Sequence, residues 1–255
     1  LLYFAESRSS TSPNAPIRAH MIMPKGNDYD IDLVLSPKGI GSLLTAMPDD
    51  SYGGMKRGIQ AIDLQLSRSL NHQIASGDYS SLLAGMNNVA KGHTSTVIGG
   101  MSNNAEGTGS AIVGGYNNIA SGTNSFSTGW GNTALGNATI ALGISNTSGV
   151  ESSATIAGKN NYAGAANAIV MGGNFTHVTA PSGSAIGSIN SSILSSQAST
   201  IGGKNNTIAG AQSIILGGNG LTLSHSAINS IGTLANNQSL AKHMIINAEI
   251  GRAHV

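Results

Sequence analysis

Three carboxylates, Asp78, Glu106 and Glu151, are the only acids between residues 74 and 220. Cleaving a sugar chain would need two of them about 5–9.5 Å apart across one glycosidic bond. Asp28, Asp30 and Asp32 alternate along a strand-like run, and three carboxylates on one strand face would suit a hard cation such as calcium. A water-facing strand accounts for the same pattern, so no metal is assigned. The 7 His residues are scattered, with no two at ligand spacing. The chain holds no Gly-x-Ser-x-Gly elbow, His-Glu-x-x-His helix or Walker phosphate loop, and no cofactor is implied. Tyr116, Trp130 and Lys159 offer the most suggestive chemistry. Aromatic rings stack on the apolar faces of sugars, while nearby Lys and Asn groups fix hydroxyls.

Whether those three side chains meet depends on what carries them. From about Ile74 to Gly220 the sequence repeats itself. The coil Ala90-Lys-Gly-His-Thr-Ser-Thr-Val-Ile-Gly-Gly-Met-Ser-Asn-Asn104 is followed by Ala105-Glu-Gly-Thr-Gly-Ser-Ala-Ile-Val-Gly-Gly-Tyr-Asn-Asn118. One glycine series runs Gly77, Gly92, Gly107, Gly122, Gly136. A second runs Gly85, Gly100, Gly115, Gly129, Gly143, Gly158, Gly172, Gly187, Gly202, Gly217, and Asn-Asn pairs recur at Asn87, Asn103, Asn117, Asn160 and Asn205. About ten coils of 14–15 residues fit.

Short apolar runs such as Thr96-Val97-Ile98, bounded by Gly and Asn, read as strands between turns. Gly supplies positive φ without steric cost, and Asn is the next most tolerant residue there. Stacked coils would rise about 4.8 Å each, so ten make a rod of about 50 Å. On that frame Asp78 and Glu106 fall two coils apart and out of phase, and Glu151 about three coils further; surface solvation accounts for all three. The residues that follow the Gly or Gly-Gly of the second series are Met86, Met101, Tyr116, Trp130, Ile144, Lys159, Asn174, Lys204 and Asn219. They should stack into one ridge, with Tyr116 beside Trp130, the only Trp. The ridge is either a glycan-binding edge, with Tyr116, Trp130 and Lys159 as candidates, or an apolar seam buried between protomers.

Composition favours a thin, repetitive architecture. The chain has 35 Gly and no Cys, with 4% aromatic and 9% charged residues, where an ordinary domain has about 25% charged. A coil's strip of Ala, Ser and single Ile or Val offsets little of the entropy of ordering it. Apolar positions also fall on more than one side of the strands, and identical chains around a common axis would cover them. A net charge of +1 with no Lys/Arg run argues against nucleic acid. Lys56-Arg57, the longest basic cluster, reads as a solvated turn. No stretch approaches the roughly 18 apolar residues of a spanning helix, so membrane insertion is not expected.

The coils, Asn132-Thr-Ala-Leu-Gly-Asn-Ala-Thr-Ile-Ala-Leu-Gly143 above all, resemble the β-roll heads of trimeric autotransporter adhesins, a repeat shared with bacteriophage tail fibres. Asp30-Ile-Asp-Leu-Val-Leu-Ser-Pro-Lys-Gly-Ile-Gly41 is similar to a shaft element of phage tail fibres and tailspikes, and Arg57-Gly-Ile-Gln-Ala-Ile-Asp-Leu-Gln65 to the bridge before their β-rolls. The string from Asp30 to Leu44 reads as hairpin-like. Ala227–Asn237 looks like a degenerate coil and His243–Ala248 like a final strand, in a capping region.

The expectation is an all-β fold. Residues 1–70 form a β-rich shaft or adaptor, 71–220 a parallel β-roll (a β-solenoid), and 221–255 a C-terminal cap. The N-terminus does not read as a signal peptide and reads instead as the cut end of a larger chain. The resemblance to phage fibres, many of which shed a C-terminal chaperone, offers one reason for an end at Val255 and leaves open whether a chaperone was removed. The resemblance implies an interlocked homotrimer in a virion tail fibre, extracellular and non-enzymatic. It would bind bacterial capsule or lipopolysaccharide and join other phage tail proteins through its N-terminal side. The alternatives are a trimeric autotransporter adhesin head and a capsule-degrading tailspike depolymerase.

Overall fold

The computed structural model describes residues 35–232 and, beyond them, the strands Leu2–Ser7, Ala19–Pro24, Asn237–Gln238 and Met244–Ile246. Contacts divide the chain into two units, 1–39 and 40–255. In the first, Leu2–Ser7 pairs antiparallel with Ala19–Pro24, from Leu2 opposite Pro24 to Ser7 opposite Ala19. Asp28, Asp30 and Asp32, with the start of the shaft-like string, lie outside the described residues.

The second unit is a parallel β-solenoid with one 14-stranded and one 11-stranded sheet. Successive coils contribute to the two sheets in turn, and every strand pairs in parallel with those one coil away. The stack starts before the visible repeat. Leu43–Leu44 pairs with Ile62–Asp63, and that strand with Ser81–Leu82. Leu43 and Leu44 therefore belong to the long sheet, and the second arm of the hairpin expected there is a solenoid strand. At the other end Asn229–Ile231 and Met244–Ile246 continue the same sheet, where the degenerate coil and final strand were expected.

The core is a pair of facing columns. Ala90, Ala105, Ala120, Ala134, Ser148, Ala163, Val178, Ile193, Ile208 and Leu223 point inward from the short sheet. Leu82, Val97, Ile112, Ser127, Ala141, Thr155, Val170, Ala185, Thr200 and Ile215 point inward from the long one. Two apolar clusters form, one from Ala61 to Ala120 and one from Ala163 to Ile228. Between them is a waist of small and hydroxylated side chains, where Ser148 Oγ and Thr155 Oγ1 share a hydrogen bond of 2.9 Å.

The first coils hold a buried ionic knot. Asp63 is fully buried and accepts from Arg57 Nε at 2.6 Å and from Arg68 Nη2 at 3.3 Å. Arg57 Nη1 also donates to the carbonyls of Gly53 and Met55. Arg57 is therefore an interior side chain, 4% exposed, rather than part of a solvated turn; Lys56 alone faces water. Burial pushes Arg68 below the ordinary guanidinium value, and Asp63 pulls it partly back.

Candidate functional site

The column expected along one turn edge is present. Parallel bridges link Met86 to Met101 and Met101 to Tyr116. Strand pairing sets Tyr116 beside Trp130 and Trp130 beside Ile144. Bridges then continue through Lys159, Asn174, Ile189, Lys204 and Asn219. Tyr116 and Trp130 are thus on adjacent coils, both outward, at 44% and 58% exposure. Lys159 is on the same column two coils beyond Trp130, with Ile144 between them. Ile189 escapes the rule that each ridge residue follows a glycine, because Ser188 precedes it.

The edge is rigid because each turn is nailed to the next. Gly115 (φ 96°), Tyr116 and Asn117 (φ 54°) lead into Asn118, which is fully buried; Gly129 (φ 115°), Trp130 and Gly131 (φ 65°) lead into buried Asn132. A fully buried amide must spend its donors and acceptor on the protein. Asn118 Nδ2 donates to the carbonyls of Gly114 at 3.1 Å and Gly129 at 2.8 Å, and its Oδ1 accepts from the Asn132 backbone at 3.0 Å. The same pattern links Asn88, Asn103, Asn118, Asn132, Asn146 and Asn161, and Gln65 Oε1 heads the ladder by accepting from Asn88 N at 2.7 Å. In the pairs Asn87-Asn88, Asn117-Asn118, Asn160-Asn161 and Asn205-Asn206, only the first residue takes positive φ, and the second is an interior hydrogen-bonding strut.

The edge also absorbs a change of period. Between these two coils the register slips once, so that Val113 and Gly114 oppose Thr128 alone. Thr128 Oγ1 donates 3.1 Å to the Gly114 carbonyl within that irregularity. A bulge of this kind re-aims the side chains next to it, here Tyr116 and Trp130.

Two further columns stand on the outer face of the long sheet. The more apolar one comprises Leu83, Ile98, Val113, Thr128, Leu142, Ile156, Met171, Ile186, Ile201, Leu216 and Ile231. Its members are half-exposed, for example Val113 at 49% and Ile201 at 47%. The outer face of the short sheet is more polar and includes Asn104, Thr133, Thr147, His177, Ser192, Thr207 and Thr222.

The three acids are separated. Asp78 Oδ1 accepts from Ile59 N–H at 2.8 Å and so braces the preceding coil. Glu106 accepts from Asn104 Nδ2 and Ser121 Oγ. Glu151 repeats the place of Asp78 five turn-to-turn hydrogen bonds later, roughly 24 Å along the rod. No protein-family model matches this chain, and a search of curated proteins returns no match.

Proposed function

We propose that this chain is a structural and receptor-binding segment of a bacteriophage tail fibre, which assembles as a homotrimer and contacts bacterial surface polysaccharide during host adsorption. The supporting observation is the aliphatic column on the long sheet, unbroken from Leu83 to Ile231 except at Thr128. Apolar area on that scale, repeated once per coil, favours contact with a like surface over contact with water. Identical rods placed about a common axis satisfy it with the same residues from each chain.

The exposed Tyr116–Trp130 pair then remains for the ligand, with Lys159 further along the same edge. Its rings offer stacking faces to sugar, and three chains present three copies, which makes a weak site effective by multivalency. Other tail proteins would join through the N-terminal side.

Light scattering on the purified chain tests assembly, and a screen of capsule and lipopolysaccharide glycans tests the edge. A mass near three chains, with glycan capture lost in Trp130→Ala, is the expected result. A well-folded monomer would overturn the fibre reading. Capture undiminished in Trp130→Ala would overturn the assignment of the edge. Release of reducing ends from capsule would establish a depolymerase instead.

A further inference from the structure

A cleft of about 480 Å³ opens in the first coils on the side of the short sheet and ends at Glu106, one coil short of the one that carries Trp130. Lys56 and Lys91 line it, both exposed, and neither has an ion-pair partner among the described residues. Glu106 lines it as well, and its carboxylate is held in place: Oε1 accepts from Asn104 Nδ2 at 2.9 Å and Oε2 from Ser121 Oγ at 3.2 Å. Asn104 serves the cleft only by holding that carboxylate, because its own Oδ1 is closed to solvent and hence to a ligand there. Met55, 44% exposed, and half-buried Val89 supply apolar surface to the same cleft.

These groups make contrary demands that few ligands meet together. Two unpaired ammonium groups call for an anion. A fixed carboxylate calls for hydroxyl or amide donors and would repel a ligand that is anionic all round. The apolar surface calls for a C–H face. A bare phosphate or sulfate answers only the first demand, and an acidic peptide brings no hydroxyl array. A sugar ring with one carboxylate answers all three, since it carries the charge on one side, several hydroxyl donors around its rim and an apolar face.

We infer that this cleft is a binding site for an acidic saccharide. The sugar carboxylate sits between Lys56 and Lys91, ring hydroxyls donate to Glu106, and the ring face rests on Met55 and Val89. The site goes beyond the Tyr116–Trp130 edge and is built entirely from one protomer, so it does not depend on the trimer.

Calorimetric titration of the full chain with three disaccharides tests it: one carrying a glucuronate, its neutral glucose counterpart, and a sulfated analogue, with inorganic sulfate as a fourth titrant. The glucuronate disaccharide is expected to bind about tenfold more tightly than the neutral one, which two exposed ion pairs can supply. Added salt should erode that preference. Lys56→Ala/Lys91→Ala, at exposed positions, should abolish the preference, and Glu106→Ala should weaken both sugars alike.

Equal affinity for the acidic and neutral sugars, or an undiminished preference in the double-lysine variant, would overturn the site. Inorganic sulfate binding as tightly as the disaccharide would overturn its assignment to saccharide. Parity between the sulfated and carboxylated sugars would support the anionic class as a whole. Trp130→Ala separates this site from the edge. Unchanged binding there supports the cleft, whereas loss in Trp130→Ala alone would transfer the site to the edge and overturn the cleft.

Discussion

Asn118 Nδ2 donates 2.8 Å to the carbonyl of Gly129, one coil further on, and so fixes the residue that immediately precedes Trp130. The amide does this from a fully buried position, and its Oδ1 simultaneously receives the Asn132 N–H. The candidate edge is therefore set from inside the rod.

Asn118→Ala should leave the Gly129 carbonyl and the Asn132 N–H without their side-chain partner, at a cost on the order of 3 kcal/mol. Asn117→Gly, one residue away but outward and at φ 54°, should be neutral or mildly stabilising. Thermal unfolding followed by circular dichroism separates the two, and equal losses would refute the distinction between strut and turn residue.

Glycines that look alike in sequence should respond in opposite ways. A Cβ on Gly107 would stand 2.0 Å from the Gly122 carbonyl oxygen, so Gly107→Ala should cost more than about 4 kcal/mol or prevent folding. A Cβ on Gly114 meets nothing within 4 Å, and Gly114→Ala should change stability by less than about 0.5 kcal/mol. Soluble yield and unfolding midpoint of the two variants are the measurement.

That contrast bears on what could be read from sequence. The period was legible because Gly77, Gly92, Gly107 and Gly122 must stack backbone on backbone, and only Gly permits it. Their role was misjudged: none of the four has positive φ, and close approach is the requirement. The earliest coils were hidden because nineteen residues separate Leu43 from Ile62 and Ile62 from Ser81, which breaks the phase of fifteen. Composition could not separate Asn117 from Asn118, since a turn and a buried strut use the same side chain. The column through Tyr116, Trp130 and Lys159 was legible because stacking in register follows from the period alone. The cleft at Lys91 and Glu106 was not, since it joins coils to Met55 and Lys56, which lie before the visible repeat.

Asp63→Asn should be among the most damaging changes in the first coils. It leaves two buried guanidinium groups without a counter-charge, a situation that costs about 3–5 kcal/mol. Chemical denaturation checks this, and a loss below about 1 kcal/mol would show that water reaches the knot.

Ile186→Asp/Ile201→Asp places two charges on the outer face of the long sheet, where both side chains are 41–47% exposed. On the proposed homotrimer, the single chain should keep its circular dichroism spectrum while the native mass falls from three chains to one. A variant that remains a trimer would move the interface to another face.

The two apolar clusters and the asparagine ladder have staggered ends. Apolar packing thins from Ser127 to Thr155, where the ladder runs without a gap through Asn132 and Asn146. The ladder in turn gives way to Thr176 and Ser191, where Val170, Val178 and Ile193 fill the interior. Like a rope splice whose strands are cut at different heights, the rod has no cross-section at which both materials stop, and a pull along its length meets no ready-made place to part.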